Sequence, residues 1–348
     1  MQIKIAQRYR PYSHSLGDPI ILPGSILAFQ IYPALIRVIS MAKRSAEVLE
    51  EIPLFIKGPV KDFTVQQDLE KGEIHVWGHS VNGYFRYRIF PNRVGFSTVV
   101  EKSPTPEFQL PYPAQDVFEK VKFNERLSLG SHKAQDWNLI RRRADLTEIL
   151  PLWHRLGLFC PKFDAKCAKG TLSLLERCFE AVEAGKKLEI APALMNLFKV
   201  GFVAGFCPSL EDTQHQGFDL SKFDLKDEES PLVLLSQGCE LIRSLFIRAE
   251  KESVRILPCL SPEFHCGRML GVECGSFGMI DFEWTKKMIR RMIFRANLTG
   301  EIAFQFQKEV RSYRVRRCNE QDRGLKMGVG EKVSVEAGQL YLFDQFES

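Results

Sequence analysis

The 348-residue chain is 45% hydrophobic, 26% charged and 11% aromatic, with a mean hydropathy of −0.16, so it can bury a large core and is not disordered. Its 48 Lys and Arg against 43 Asp and Glu leave a net charge of +5, too weak and too dispersed to indicate a nucleic-acid partner. MQIKIAQRYRPYSHS lacks the apolar stretch and cleavage site of a secretory signal, and the most apolar run, IAPALMNLFKVGFVAGFC, carries Asn196 and Lys199, so no membrane span is expected. The nine cysteines are an odd number and all lie between Cys160 and Cys318; free thiols and a cytoplasmic location are expected.

Residues 1–122 read as an N-terminal antiparallel β region. SILAFQIYPALIRVIS, KDFTVQQDLEKGEIHVWGHSVNGYFRYRIF and RVGFSTVVEK alternate apolar and polar residues between Pro and Gly breaks. Glu70-Lys71-Gly72-Glu73 and Val81-Asn82-Gly83-Tyr84 read as hairpin turns, Asn82-Gly83 supplying the positive φ of a type I′ turn. PTPEFQLPYPA, with prolines that cannot all sit in a ladder, reads as a linker.

Residues 123–252 read as a helical segment. Asp145-Leu146-Thr147-Glu148 has capping-box spacing ahead of Ile149, Trp153 and Leu156. Further helices are predicted in TLSLLERCFEAVEAG, LEIAPALMNLFKVGFVAGF and PLVLLSQGCELIRSLFIRAEKE, four in all. EDTQHQGFDLSKFDLKDEES reads as an acidic exposed loop. Strand patterning returns over 253–348. The fold class is therefore α+β and predominantly β: antiparallel sandwich or sandwiches with a central helical segment, the C-terminal β region packing with 1–122 as one sandwich or forming a second.

Three clusters carry candidate chemistry. His75, Trp77 and His79 share one face of a strand, where Trp77 offers a flat platform for a sugar ring between two hydrogen-bonding imidazoles, with Tyr84, Arg86 and Arg88 across the hairpin. The same residues equally suit an aromatic cross-strand cluster packed beneath the helices. His75 and His79 stand about 13 Å apart along a strand, too far to share a metal. In SLGSHKAQDW, His132 and Asp136 have i,i+4 spacing if the helix starts early, which would let Asp136 orient His132 as an acid/base beside Trp137; Asp136 equally suits a helix N-cap.

Between Lys286 and Arg317 stand ten basic residues and two acidic ones. Alternation places Arg314 and Arg316 on one face, suited to an anionic or protein partner or to guarding an exposed sheet. Cys259, His265, Cys266 and Cys274 lack the short spacings of a zinc site, and no nucleotide, metalloprotease or serine-hydrolase fingerprint is present, so no cofactor and no metal are expected.

From about residue 254 to 307 the chain carries Leu257-Pro258, Pro262 before an aromatic, Gly267, Gly271, a turn at Gly275, Asp281 through Trp284 at a strand end, and a strand-Gly-strand unit at Gly300. In these residues it resembles the C-terminal β-sandwich region of α-L-fucosidase-like inverting glycoside hydrolases. Phe264 stands where that family usually has Trp, and Glu273-Cys274 where it tends to have a small residue and Arg. The family's catalytic helical barrel is too long for the helical segment here, so no catalytic residue is carried over. The resemblance implies a carbohydrate-active protein that binds or hydrolyses an oligosaccharide. The alternative is a non-enzymatic interaction or structural protein docking through Arg314 and Arg316.

Overall fold

Apolar alternation from Tyr12 to Lys102 forms nine strands: β1 (Tyr12–Ser13), β2 (Pro19–Ile21), β3 (Leu27–Tyr32), β4 (Leu35–Ser40), β5 (Glu47–Pro53), β6 (Lys61–Asp68), β7 (Glu73–Ser80), β8 (Gly83–Asn92) and β9 (Gly95–Lys102). The computed structural model describes residues 2–114, 124–164, 169–217, 228–250, 253–318 and 323–348. The nine strands form a four-stranded sheet, β2-β3-β4-β5, and a five-stranded one, β1-β6-β7-β8-β9. Phe29, Ile31 and Val38 of the first meet Val65, Val76, Phe85 and Tyr87 of the second in a common core. Such alternation is what lets two sheets bury one face each.

The proline-rich segment does not behave as a free linker. Phe108 and Leu110 are buried in that same core, and the backbone of Thr98 bonds Tyr112 and Ala114. The Asn82-Gly83 type I′ turn is not formed either. Ser80 pairs with Gly83, so the two-residue loop is Val81-Asn82, and Gly83 adopts φ +132° as the first paired residue of β8.

The segment 123–252 is not helical throughout. It opens with β10 (Arg126–Ser128), followed by α1 (Trp137–Arg143), α2 (Leu146–Phe159), α3 (Thr171–Glu183), α4 (Lys187–Gly201) and α5 (Val233–Phe246), then β11 (Ile247–Ala249). Much of the acidic loop, residues 218–227, lies outside the described residues. The last strands are β12 (Ser253–Ile256), β13 (Gly267–Glu273), β14 (Gly278–Thr285), β15 (Met288–Ala296), β16 (Gly300–Gln305), β17 (Ser312–Arg317), β18 (Leu325–Gly328), β19 (Lys332–Val335) and β20 (Leu340–Glu347).

These strands form a seven-stranded sheet, β10-β13-β14-β15-β20-β17-β18, and a four-stranded one, β11-β12-β16-β19, antiparallel except for β12 and β16. Ile280, Phe282, Trp284 and Phe294 join Ile302, Phe304 and the apolar faces of α2 to α5 in the second core. Ile21, Ala28 and Ile39 belong to it as well, so the β2-β5 sheet is covered on both faces, by the β1-β9 sheet on one side and by the helical core on the other.

The residues before β1 tie the sheets together. Tyr9 accepts from Leu69 N and donates its hydroxyl to Leu127 O at 2.7 Å, while Arg126 donates to Gln7 O and to Glu70. Ile3 packs on Ile293 and Leu342, outside the seven-stranded sheet. The resemblance-bearing residues are structural here: a methyl at Gly267 would meet Trp284 at 2.3 Å, and Asp281 accepts from Gly271 N at 2.7 Å where Gly271 adopts φ +64°. The protein is α+β and mainly β. Among the described residues no helix is long and apolar enough to cross a membrane.

Candidate functional site

On β7, Ile74 and Val76 enter the core, so His75, Trp77 and His79 face outward together. The register sets Gln66, His75 and Arg88 side by side, and Thr64, Trp77 and Arg86 in the next row. Tyr12 of β1 pairs with Gln66 and extends the first row. Trp77 is partly exposed, with the Arg86 guanidinium 5.9 Å from its ring centre. His79 is exposed, lies tilted against Tyr84 with ring centres 5.0 Å apart, and stands 3.6 Å from Asp62. The face is therefore open to solvent around Trp77 and His79, while its Tyr12 end adjoins the start of α1.

Around Trp77 the polar side chains are fastened to one another. Glu73 is fully buried and bonds Arg88 at 2.9 Å; Arg88 also meets Glu101 at 2.8 Å, and Glu101 meets Arg86 at 2.9 Å. Asp68 is held by Arg10 at 3.1 Å. The buried His75 ring lies 3.3 Å from Glu73 and 3.9 Å from Asp68, with Arg86 at 3.4 Å from its other nitrogen. Burial holds the His75 pKa down at about 4, outweighing the opposing pull of Asp68, with Arg86 adding to the lowering. Arg86 and Arg88 were legible as cross-strand neighbours. Asp68, Glu101, Arg10 and Tyr12 were not, since only the strand partners reveal them.

The second cluster does not assemble as an acid/base pair. The helix starts at Trp137, so His132 lies in the preceding loop without i,i+4 geometry to Asp136. Asp136 is the N-cap of α1 and accepts from Leu139 N at 3.0 Å. Trp137 is no sugar platform: it is buried and stacked on Phe206 at 4.8 Å. His132 is exposed on a cavity of about 280 Å³ with Cys266, Arg268, Glu283 and Trp284. Its neighbour Lys133 reaches Asp145 at 3.1 Å and Glu148 at 2.9 Å, which fastens the loop to the start of α2.

On β17, Tyr313 and Val315 are buried and Arg314 and Arg316 face outward. Both guanidinia meet one carboxylate, Asp344 of β20, at 2.8 and 3.4 Å, which offsets part of the charge offered to an anionic partner. Cys259 and Cys274 are buried and Cys266 is exposed. Among the described residues no group of three or more His, Cys, Asp or Glu is placed to hold a metal ion.

No protein-family model matches the chain, and no curated protein matches it either. The functional reading rests on the residues themselves.

Proposed function

We propose that the chain is a carbohydrate-binding protein that takes an oligosaccharide on the outer face of the β1-β9 sheet, around Trp77. The observation that carries this reading is a partly exposed indole in the middle of a solvent-facing sheet, ringed by polar side chains already locked in ion pairs. A pyranose presents a C–H face and an equatorial hydroxyl rim. The indole suits the first, and fixed guanidinium, carboxylate and imidazole groups suit the second. Because those groups are ordered before a ligand arrives, binding loses less side-chain entropy.

Binding is favoured over hydrolysis. Inverting hydrolysis needs a free acid and a free base about 6.5–9.5 Å apart. On this face Asp68, Glu73 and Glu101 are each engaged by arginine. The resemblance of residues 254–307 to fucosidase-like hydrolases supports carbohydrate-active descent, and its residues here support the fold around them.

The test is binding to a broad glycan panel, with reducing ends assayed in the same samples. Wild type should bind at least one glycan and release no reducing ends. Trp77→Ala should weaken that binding roughly tenfold or more, the usual loss when an aromatic anchor is truncated. Asp136→Asn, which alters the α1 cap and leaves Trp77 and the ion pairs around it in place, should keep it. Equal binding by wild type and Trp77→Ala would overturn the assignment.

A further inference from the structure

Trp77 is not the only aromatic group on the outer face of the β1-β9 sheet. Ser13 of β1 pairs with Val65 of the core and Tyr12 with Gln66, so alternation turns Tyr12 and His14 outward on the same side as Trp77. Their rings meet edge to face with centres 5.3 Å apart, and His14 Nδ1 lies 3.0 Å from Thr64 Oγ1 and 3.2 Å from Phe63 O. Tyr12 is half-buried and His14 exposed. On the opposite side of Trp77, half-buried Tyr84 of β8 leans on His79. Trp77 stands between the two pairs, with Thr64 beside it on β6 and Arg86 beside it on β8.

The strand order β1-β6-β7-β8 fixes how far apart these rings stand. Two strand spacings, ~10 Å, separate β1 from β7, and β8 lies one strand further, so the aromatic band crosses roughly 15 Å of sheet. One pyranose covers one platform and cannot reach the next. Two strand spacings match the advance of a disaccharide along an extended chain, so a chain with one ring stacked on Trp77 brings the second ring beyond it over Tyr12 and His14.

Between these platforms the face is polar without free charge. Gln66 is half-buried, flanked by Tyr12 and His75, and its side-chain amide meets no partner among the described residues. It therefore keeps both a donor and an acceptor for hydroxyls that pass over it. The nearest arginines, Arg10, Arg86 and Arg88, are matched by Asp68, Glu101 and Glu73. Uncharged hydroxyls complement such a strip, whereas a uronic-acid chain would bring carboxylates to arginines that are already paired.

Given carbohydrate binding at Trp77, on which this step rests, we propose that the face takes a linear, uncharged oligosaccharide, a tetrasaccharide or longer. Its rings stack on Tyr12, Trp77 and Tyr84, and Gln66 bonds the hydroxyls between the first two. The stacked rings supply the affinity through their apolar faces, and the amide fixes the chain's position.

The experiment titrates the whole chain by calorimetry with cello-, manno-, xylo-, chito- and laminari-oligosaccharides, each from disaccharide to hexasaccharide, and with oligogalacturonates as the charged comparison. Affinity within at least one neutral series should rise roughly tenfold or more from disaccharide to tetrasaccharide, the contribution usual for an aromatic anchor. Oligogalacturonates should bind more weakly than that series. Tyr12→Ala should remove the gain with length and leave disaccharide binding unchanged, whereas Trp77→Ala should weaken binding at every length. Should Tyr12→Ala unfold, Gln66→Ala decides: it breaks no bond within the described protein and should weaken the tetrasaccharide several-fold.

A disaccharide bound as tightly as the hexasaccharide, a preference for oligogalacturonates, a length gain that Tyr12→Ala leaves intact, or an unchanged tetrasaccharide affinity in Gln66→Ala would overturn the extended chain and leave sugar binding at Trp77 standing. The same holds if no series binds while another glycan of the broad panel does. Binding of no glycan at all would overturn both.

Discussion

His75 and His154 are both closed off from solvent, yet their protonation shifts in opposite directions, because burial prevails at the first and polar partners prevail at the second. Burial alone would push His154 down; the Cys239 thiol and the Glu125 carboxylate outweigh it and raise its pKa to about 9. At His75 burial prevails and the value falls to about 4. With an unfolded value of about 6.5, the His154 contribution to stability is complete below pH 6.5 and is lost as pH rises through 9. The His75 contribution has the reverse sign: it is complete above pH 6.5 and is lost as pH falls through 4, because the fold favours the neutral ring. Urea unfolding across pH 4 to 10 should therefore show an alkaline limb flattened by His154→Gln and an acid limb flattened by His75→Asn. Unchanged limbs would contradict the two environments. Period-two alternation made the common face of His75, Trp77 and His79 legible. Nothing local distinguishes Trp77 from Trp137, because which indole meets solvent is decided by Phe206, 69 residues beyond Trp137 in the chain.

Helix α2 separates what local sequence specifies from what packing specifies. Asp145 caps it as its spacing predicts, accepting from Thr147 N at 2.9 Å. Glu148 does not complete the capping box; it turns to Lys133 and Arg143 instead. Asp145→Ala should cost about 1 kcal/mol in urea unfolding, the usual value of an N-cap. At the crossing with α5 the ordinary helix rule should reverse. Gly157→Ala gains up to about 1 kcal/mol of helix propensity. Its methyl would strike backbone at Leu235 O, which cannot rotate aside, so a net loss of about 1–3 kcal/mol is expected. A stabilised Gly157→Ala would contradict the close crossing. The strands were largely legible, while β10 was hidden because three residues carry little periodicity and its partner β13 lies some 140 residues away.

Across the whole molecule, two cores divide the labour. The helical core fills the space between the β2-β5 sheet and the C-terminal sheets, and it carries the His154–Glu125 pair. The N-terminal core holds its five-stranded sheet so that the opposite face of that sheet stays open around Trp77. Strand type and order could be read along the chain, but the pairing of Arg314 and Arg316 with Asp344 could not, because sheet neighbours β17 and β20 are set by tertiary register. Of the four tryptophans, Trp137, Trp153 and Trp284 are buried, leaving Trp77 as the partly exposed one. Acrylamide quenching of intrinsic fluorescence therefore reads this face selectively. The most direct measurement is that quenching with and without each member of a glycan panel, in wild type and Trp77→Phe. Expected is a glycan that shields wild-type fluorescence from acrylamide, and loss of the quenchable fraction in Trp77→Phe. Folded protein whose quenching no glycan changes would contradict carbohydrate binding at this site.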